Sequence, residues 1–264
     1  MSFVITAVII YAVLLGLLYV FQRNLLYHPS SGHLDPAHYG IPEMAVVKVA
    51  TDDGLSLTAW YRPPANEDAL TLLYLHGNAG HIGYRAGKVK PYLDAGYGML
   101  LLSYRGYGTN PGYPTEEHLY LDSRAALNFL AEQRIPIFKT VIYGESLGTG
   151  VAVEMAQNLG IAGLVLEAPF SSIVDVAAHH FKLFPTGFLV RDKYNSLSKI
   201  NNIKAPILII HGEKDHTIPY SLGRKLYDAA PRPKEFYGIP NAGHNDLYDH
   251  GVAAIIIEYL ESNS

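Results

Sequence analysis

Cysteine is absent from this 264-residue chain, which removes disulfides, thiolate metal ligands and a cysteine nucleophile from consideration. The absence fits reducing and oxidising compartments alike, so it fixes no location. A surplus of positive charge is missing too. Lys and Arg number 20 against 24 Asp and Glu, the net charge is −4, and no long basic run occurs. That balance lacks the electrostatic footprint of nucleic-acid binding, so DNA and RNA are not expected partners. Charge of either sign is also missing from residues 3–21, an unbroken apolar and aromatic run. As a helix it is long enough to span a bilayer. A cleavable signal needs a basic leader and small residues at a cleavage site, and neither is evident, so residues 1–28 are expected to form a membrane anchor. A buried core helix and an atypical signal peptide are the alternatives. Tyr19 and Tyr27 suit an interfacial aromatic belt. No Lys or Arg precedes the run and only Arg23 closely follows it, so the charge rule for orientation leaves the side of the membrane open.

What the chain does contain is a 49% hydrophobic composition, sufficient for one α/β domain over residues 29–264. Residues 28–42 are polar and punctuated by Gly and Pro, as expected of a linker or surface wrap. Two alternating runs, 44–50 and 55–61, flank a TDDG turn whose Asp-Gly pair signals a hairpin. Apolar strand candidates then follow at 71–75, 99–103, 140–143, 164–167, 207–211 and 235–239, interleaved with helical stretches. One helix starts after Thr115, with Leu119, Ala126, Leu127 and Leu130 at core-facing spacing, and another closes the chain over about 253–260. This is the pattern of a mostly parallel, eight-stranded sheet flanked by helices. About 40 residues separate the strands ending at 167 and starting at 207, more than a crossover needs, so a small cap is expected at about 170–204. Phe170, Phe181, Phe184 and Phe188 are expected to pack that cap onto the sheet; lining a site is the other reading.

Residues 144–148 read GESLG, a G-x-S-x-G that places Ser146 where a strand turns sharply into a helix. The flanking glycines suit a corner where side chains would collide. Alone, the pentapeptide also fits a glycine-rich turn with an idle serine. Context adds the rest. In an open parallel sheet, reactive groups gather in loops at the carboxyl ends of strands. The loop after 207–210 carries Asp215, and the loop after the last strand carries His244. The order Ser146, Asp215, His244 is the one expected of α/β-hydrolases. Serine is a weak nucleophile by itself, an imidazole must take its proton, and a carboxylate must fix the imidazole tautomer. Glu167, at another strand end, is the rival acid. The loop at 76–80, HGNAG, is where an oxyanion amide is expected. The donors are assigned as the backbone N–H groups of Leu147 and Asn78, with Ala79 the alternative to the latter, each typically worth roughly 3 to 4 kcal/mol.

Other conspicuous residues have structural readings. His179 and His180 lack the partners of a metal site, His216 is a solvent-facing neighbour of Asp215, His76 holds its loop by hydrogen bonds, and Arg105 and Tyr107 brace the loop after their strand.

Together, FQRNLLYHP at 21–29, HGNAG at 76–80, YRGYG at 104–108, the Ser146 elbow, EAPF at 167–170 and the Asp215 and His244 loops resemble the α/β-hydrolase superfamily. More narrowly, they resemble the membrane-anchored, Bem46-like group of serine hydrolases related to ABHD13 and ABHD17. The resemblance implies an N-terminally anchored enzyme acting on an acyl ester, thioester or amide, with a small-molecule or lipid-like acyl substrate and no cofactor or metal. Depalmitoylating members carry an N-terminal cysteine cluster, and this chain has none, so that activity is not implied. A serine peptidase of the same fold and a non-catalytic, membrane-tethered scaffold are the competing readings.

Overall fold

The computed structural model describes residues 2–32 and 35–263. In chain order the elements are α1 (Ser2–Leu26), β1 (His28–Pro29), β2 (Ala45–Ala50), β3 (Ser56–Arg62), β4 (Thr71–Leu75), β5 (Ala79–Gly80), α2 (Ala86–Asp94), β6 (Gly98–Leu102) and α3 (Glu116–Glu132). Then follow β7 (Thr140–Glu145), α4 (Leu147–Ala156), β8 (Gly163–Glu167), α5 (Ile173–His180), α6 (Thr186–Leu189), β9 (Ile207–Gly212), α7 (Tyr220–Ala229), β10 (Lys234–Ile239) and α8 (Val252–Ser262).

Among the described residues the main sheet has eight strands in the order β10-β9-β8-β7-β4-β6-β3-β2. All eight expected strands are present. β3 runs antiparallel to both neighbours, β2 and β6, and the remaining pairs are parallel. The hairpin turns where the Asp-Gly pair requires it: Gly54 has φ +88°, and Thr51 N donates to Leu55 O at 2.9 Å. The central strands are covered on both faces, which is why they read as continuous apolar runs. Within β4, Leu73 and Leu75 pack towards α3 and α4, whereas Leu72 and Tyr74 pack towards α2 and α8, as the two-residue period of a strand dictates. Helix α3 starts at an N-cap, Thr115, whose hydroxyl accepts from His118 N at 3.1 Å.

The segment 28–42 behaves as a wrap, its residues 33–34 lying outside the described residues. β1 pairs in parallel with β5, Ile41 is buried, and a 3₁₀ turn over Pro36–Tyr39 is capped by Asp35. Ahead of it, α1 is a long apolar helix: Phe3–Leu26 is long and apolar enough to cross a membrane, and no residue of its apolar window is buried. The expected packing of the phenylalanines onto the sheet holds for Phe170, which is fully buried, and fails for two others. Phe181 is 41% and Phe188 92% exposed, because the segment carrying them faces α1 and solvent. Tyr11 stacks on Phe184 at 5.8 Å and its hydroxyl donates to Leu183 O at 2.8 Å.

Candidate active site

Ser146 occupies the turn between β7 and α4 at φ 52°, ψ −117°, a conformation strained for a residue with a side chain. The glycines at either side are sterically required. A Cβ on Gly148 would lie 2.0 Å from Leu75 O, and one on Gly144 would lie 2.6 Å from Gly148 O. The strained turn is held from both directions: Ser146 N donates to Glu167 O at 2.8 Å, and Thr149 N donates to Ser146 O at 2.9 Å.

The three residues singled out by motif and order meet in space. Ser146 Oγ lies 2.9 Å from His244 Nε2, and His244 Nδ1 lies 2.7 Å from Asp215 Oδ2. The second carboxylate oxygen of Asp215 accepts from Thr217 N and Ile218 N, each at 2.8 Å. Burial pushes the Asp215 carboxyl up, but hydrogen bonds from His211 and His244 outweigh it and hold it well below the usual carboxylate range. Asp215 is therefore an anion facing Nδ1, which makes Nδ1 the protonated nitrogen and leaves Nε2 to accept from Ser146. Glu167, the rival acid, is engaged elsewhere: its carboxylate accepts from Lys88 Nζ and from the Tyr143 hydroxyl, both at 2.6 Å.

The loop 76–80 abuts the elbow, for a Cβ added at Gly77 would sit 3.3 Å from Ser146 Cβ. Leu147 opens α4, where main-chain N–H groups have no helical acceptor. Asn78 is fastened on three sides. Its side-chain amide donates to Leu26 O at 2.7 Å, and its carbonyl accepts from His28 N at 2.9 Å and from the Tyr107 hydroxyl at 2.8 Å. Tyr107 thus reaches further than its own loop. His76 Nδ1–H donates to Gly77 O at 2.7 Å while its ring packs on Tyr104 and Tyr107. Burial, with Arg85 nearby, lowers the His76 pKa to about 3. Arg85 bridges both halves of the site, donating to Ala79 O at 2.7 Å and to Glu145 Oε2 at 3.0 Å. Burial would raise Glu145, but Arg85 and Lys88 override it and keep the carboxyl ionised.

Two residues of this assembly had no role assigned from the sequence. His211, fully buried at the end of β9, places Nε2 2.9 Å from Ile218 O and 3.3 Å from Asp215 Oδ2. Leu26 supplies only its carbonyl. The remaining histidines lie apart: His216 is exposed, and His180 Nε2 lies 2.9 Å from Thr217 O with its ring against His179. Among the described residues no three His, Asp or Glu side chains form a metal-binding group. Arg105 ties Asp122 of α3 to Asp53 of the β2–β3 turn.

Residues 71–190 match the family described as the alpha/beta hydrolase fold. The bem46 protein of Schizosaccharomyces pombe is 31% identical over 268 residues, covering 94% of this chain and 89% of its own. The chain belongs to the Bem46-like group of α/β-hydrolases. This Bem46-like chain is also 34% identical over 199 residues to a lysophosphatidylserine lipase of Danio rerio, a match covering 68% of the chain but only 52% of that longer protein. In fold it is similar to an esterase of Pyrococcus furiosus, with a TM-score of 0.73 and 21% identity over 90% of this chain and 98% of the other.

Proposed function

We propose that the protein is a membrane-anchored serine hydrolase that cleaves an acyl ester, thioester or amide through an acyl-enzyme. The observation that carries this reading is the unbroken hydrogen-bonded line from Ser146 Oγ through His244 to Asp215, at 2.9 and 2.7 Å. Ser146 Oγ attacks the substrate carbonyl as its proton passes to His244 Nε2, and Asp215 stabilises the imidazolium by accepting from Nδ1. The oxyanion that forms is met by the N–H groups of Leu147 and Asn78. Collapse breaks the bond to the leaving group, which takes the proton back from His244. Water then repeats the sequence on the acyl-enzyme, releasing the acid and restoring Ser146. Esters rank first because the lipase and esterase named above are ester hydrolases by name.

The anchoring half of the reading is supported by α1, whose apolar surface has no protein core to bury it. The test is fluorophosphonate labelling and p-nitrophenyl ester turnover by the full chain in detergent. Ser146→Ala should abolish both, and undiminished labelling of that variant would overturn the assignment. Turnover of amino-acid amides in preference to esters would turn the reading towards a peptidase.

A further inference from the structure

Between the C-terminal half of α1 and the segment carrying α5 and α6 lies a cavity of about 270 Å³. Leu18 and Leu25 of α1 line it, as do Val176, Phe181 and Leu189 of the segment opposite, and Asn78 also belongs to the lining. The charged and amide side chains of its lining are already paired. Arg23 is paired with Asp192 through two hydrogen bonds of 2.8 and 3.0 Å. Gln22 donates to Leu189 O at 3.0 Å and accepts from Arg191 N at 2.8 Å, and the Asn78 amide is held by Leu26 O. A ligand entering here finds no unpaired charge or amide, only the Thr186 and Thr217 hydroxyls among mostly apolar side chains, so what the cavity favours is an apolar chain.

One lining residue connects the cavity to the assigned site. Asn78 is the residue whose main-chain N–H is assigned to the oxyanion, so the cavity adjoins the loop that would hold a substrate carbonyl. We propose that this cavity is the acyl-chain site, that α1 forms one wall of it, and that the preferred substrate is a medium- to long-chain acyl ester. The proposal rests on the serine hydrolase reading and names its substrate class. It makes α1 a specificity-determining element as well as a tether. The exposed apolar side chains of Phe181, Leu183 and Phe188 extend the same surface beside α1.

The experiment uses the full chain in detergent and two measurements on the same variants. The first is the ratio of kcat/KM for p-nitrophenyl octanoate to that for the acetate. The second is binding of dodecanoate by calorimetry. Leu25→Trp and Val176→Trp fill the cavity from its two sides, and Leu25 is 55% exposed, so the larger ring there does not overfill the core. Leu18→Trp serves as a second α1 variant, and thermal melts establish that each variant is folded. In wild type octanoate should be favoured over acetate; each variant should lower that ratio and weaken dodecanoate about tenfold or more. An effect of Val176→Trp with none from either α1 variant would overturn the proposal, and so would a wild-type ratio indifferent to chain length. If dodecanoate binding responds as expected while no ester is turned over, the cavity stands and the hydrolase reading falls. If esters are turned over and dodecanoate is not bound, the reverse holds.

Discussion

The side-chain amide of Asn78 donates to the main-chain carbonyl of Leu26 across 2.7 Å, so the last turn of α1 is tied directly to the loop whose backbone is assigned to the oxyanion. The parallel β1–β5 pair and the hydrogen bond from His28 N to Asn78 O reinforce the tie. Positioning a main-chain donor through its own side chain separates two effects that are usually confounded. Asn78→Ala keeps the backbone N–H and removes only the tether.

Asn78→Ala should therefore lower kcat by about tenfold with little change in KM, because a small misplacement of a donor is felt mainly in the transition state. Steady-state kinetics on a p-nitrophenyl ester measure this. A change confined to KM would mean that the amide contacts substrate instead of holding the loop.

Asp215→Asn should reduce kcat by roughly 10³- to 10⁴-fold while the protein still folds, since an amide at that position favours the wrong imidazole tautomer. Glu167→Gln should not reproduce that loss, because the Glu167 carboxylate faces Lys88 and Tyr143 and not His244. Equal losses from both variants would reopen the choice of acid.

The elbow and its two partners were legible in the sequence for a steric and topological reason. Gly144 and Gly148 are imposed by backbone atoms within 3 Å of where their Cβ atoms would be, and parallel strands deliver Asp215 and His244 to the same edge whatever their side chains do. The central strands β4, β6, β7, β8 and β9 were legible because burial on both faces leaves uninterrupted apolar runs, and β2 and β3 because alternation flanks an Asp-Gly turn. What escaped was carried by contacts without a local pattern. β1 and β5 are two residues each, the Asn78–Leu26 bond spans 52 positions, and His211 is an unremarkable strand-end residue until the fold brings Ile218 and Asp215 to its ring. Phe181 and Phe188 depart from the expected packing because apolar character alone does not say whether a side chain faces the sheet or an apolar helix outside it.

His76 gives a prediction about pH. In the folded protein burial and nearby Arg85 hold its pKa at about 3, against an ordinary 6.5. Below about pH 6.5 the unfolded chain therefore binds one proton that the folded chain refuses, and stability falls as pH falls, by about 1.4 kcal/mol per pH unit from this residue. Asp215 and Glu145, both held low, begin to lose their contributions only below about pH 5, as the unfolded carboxylates protonate, so the window from about pH 6.5 to 5.5 is dominated by histidine. His81 is lowered in the same direction, which is why the comparison must be with a variant. Denaturant unfolding across that window should show His76→Gln with a pH slope smaller by about one proton. Identical slopes would mean that the folded state accepts a proton on His76.

The pinning of His211 can be tested from a glycine that touches it. Gly223 lies within α7, where alanine is favoured over glycine by about 1 kcal/mol on helix propensity alone. A Cβ at that position would nevertheless sit 2.3 Å from His211 Nδ1 and 3.0 Å from its Cε1. The ring cannot retreat freely, because its Nε2 is held 2.9 Å from Ile218 O and lies 3.3 Å from Asp215. Overpacking of a fixed ring costs about 1 to 3 kcal/mol, which equals or exceeds the propensity gain. Gly223→Ala should thus destabilise the protein by up to about 2 kcal/mol and lower kcat as the His211 ring is displaced from its contact with Asp215. Gly87→Ala is the contrast, since that glycine is also helical and nothing lies within 4 Å of its added Cβ. It should stabilise by roughly 0.5 to 1 kcal/mol and leave kcat alone. If thermal melts place both variants above the wild type, His211 is free to move and does not hold Asp215 in place.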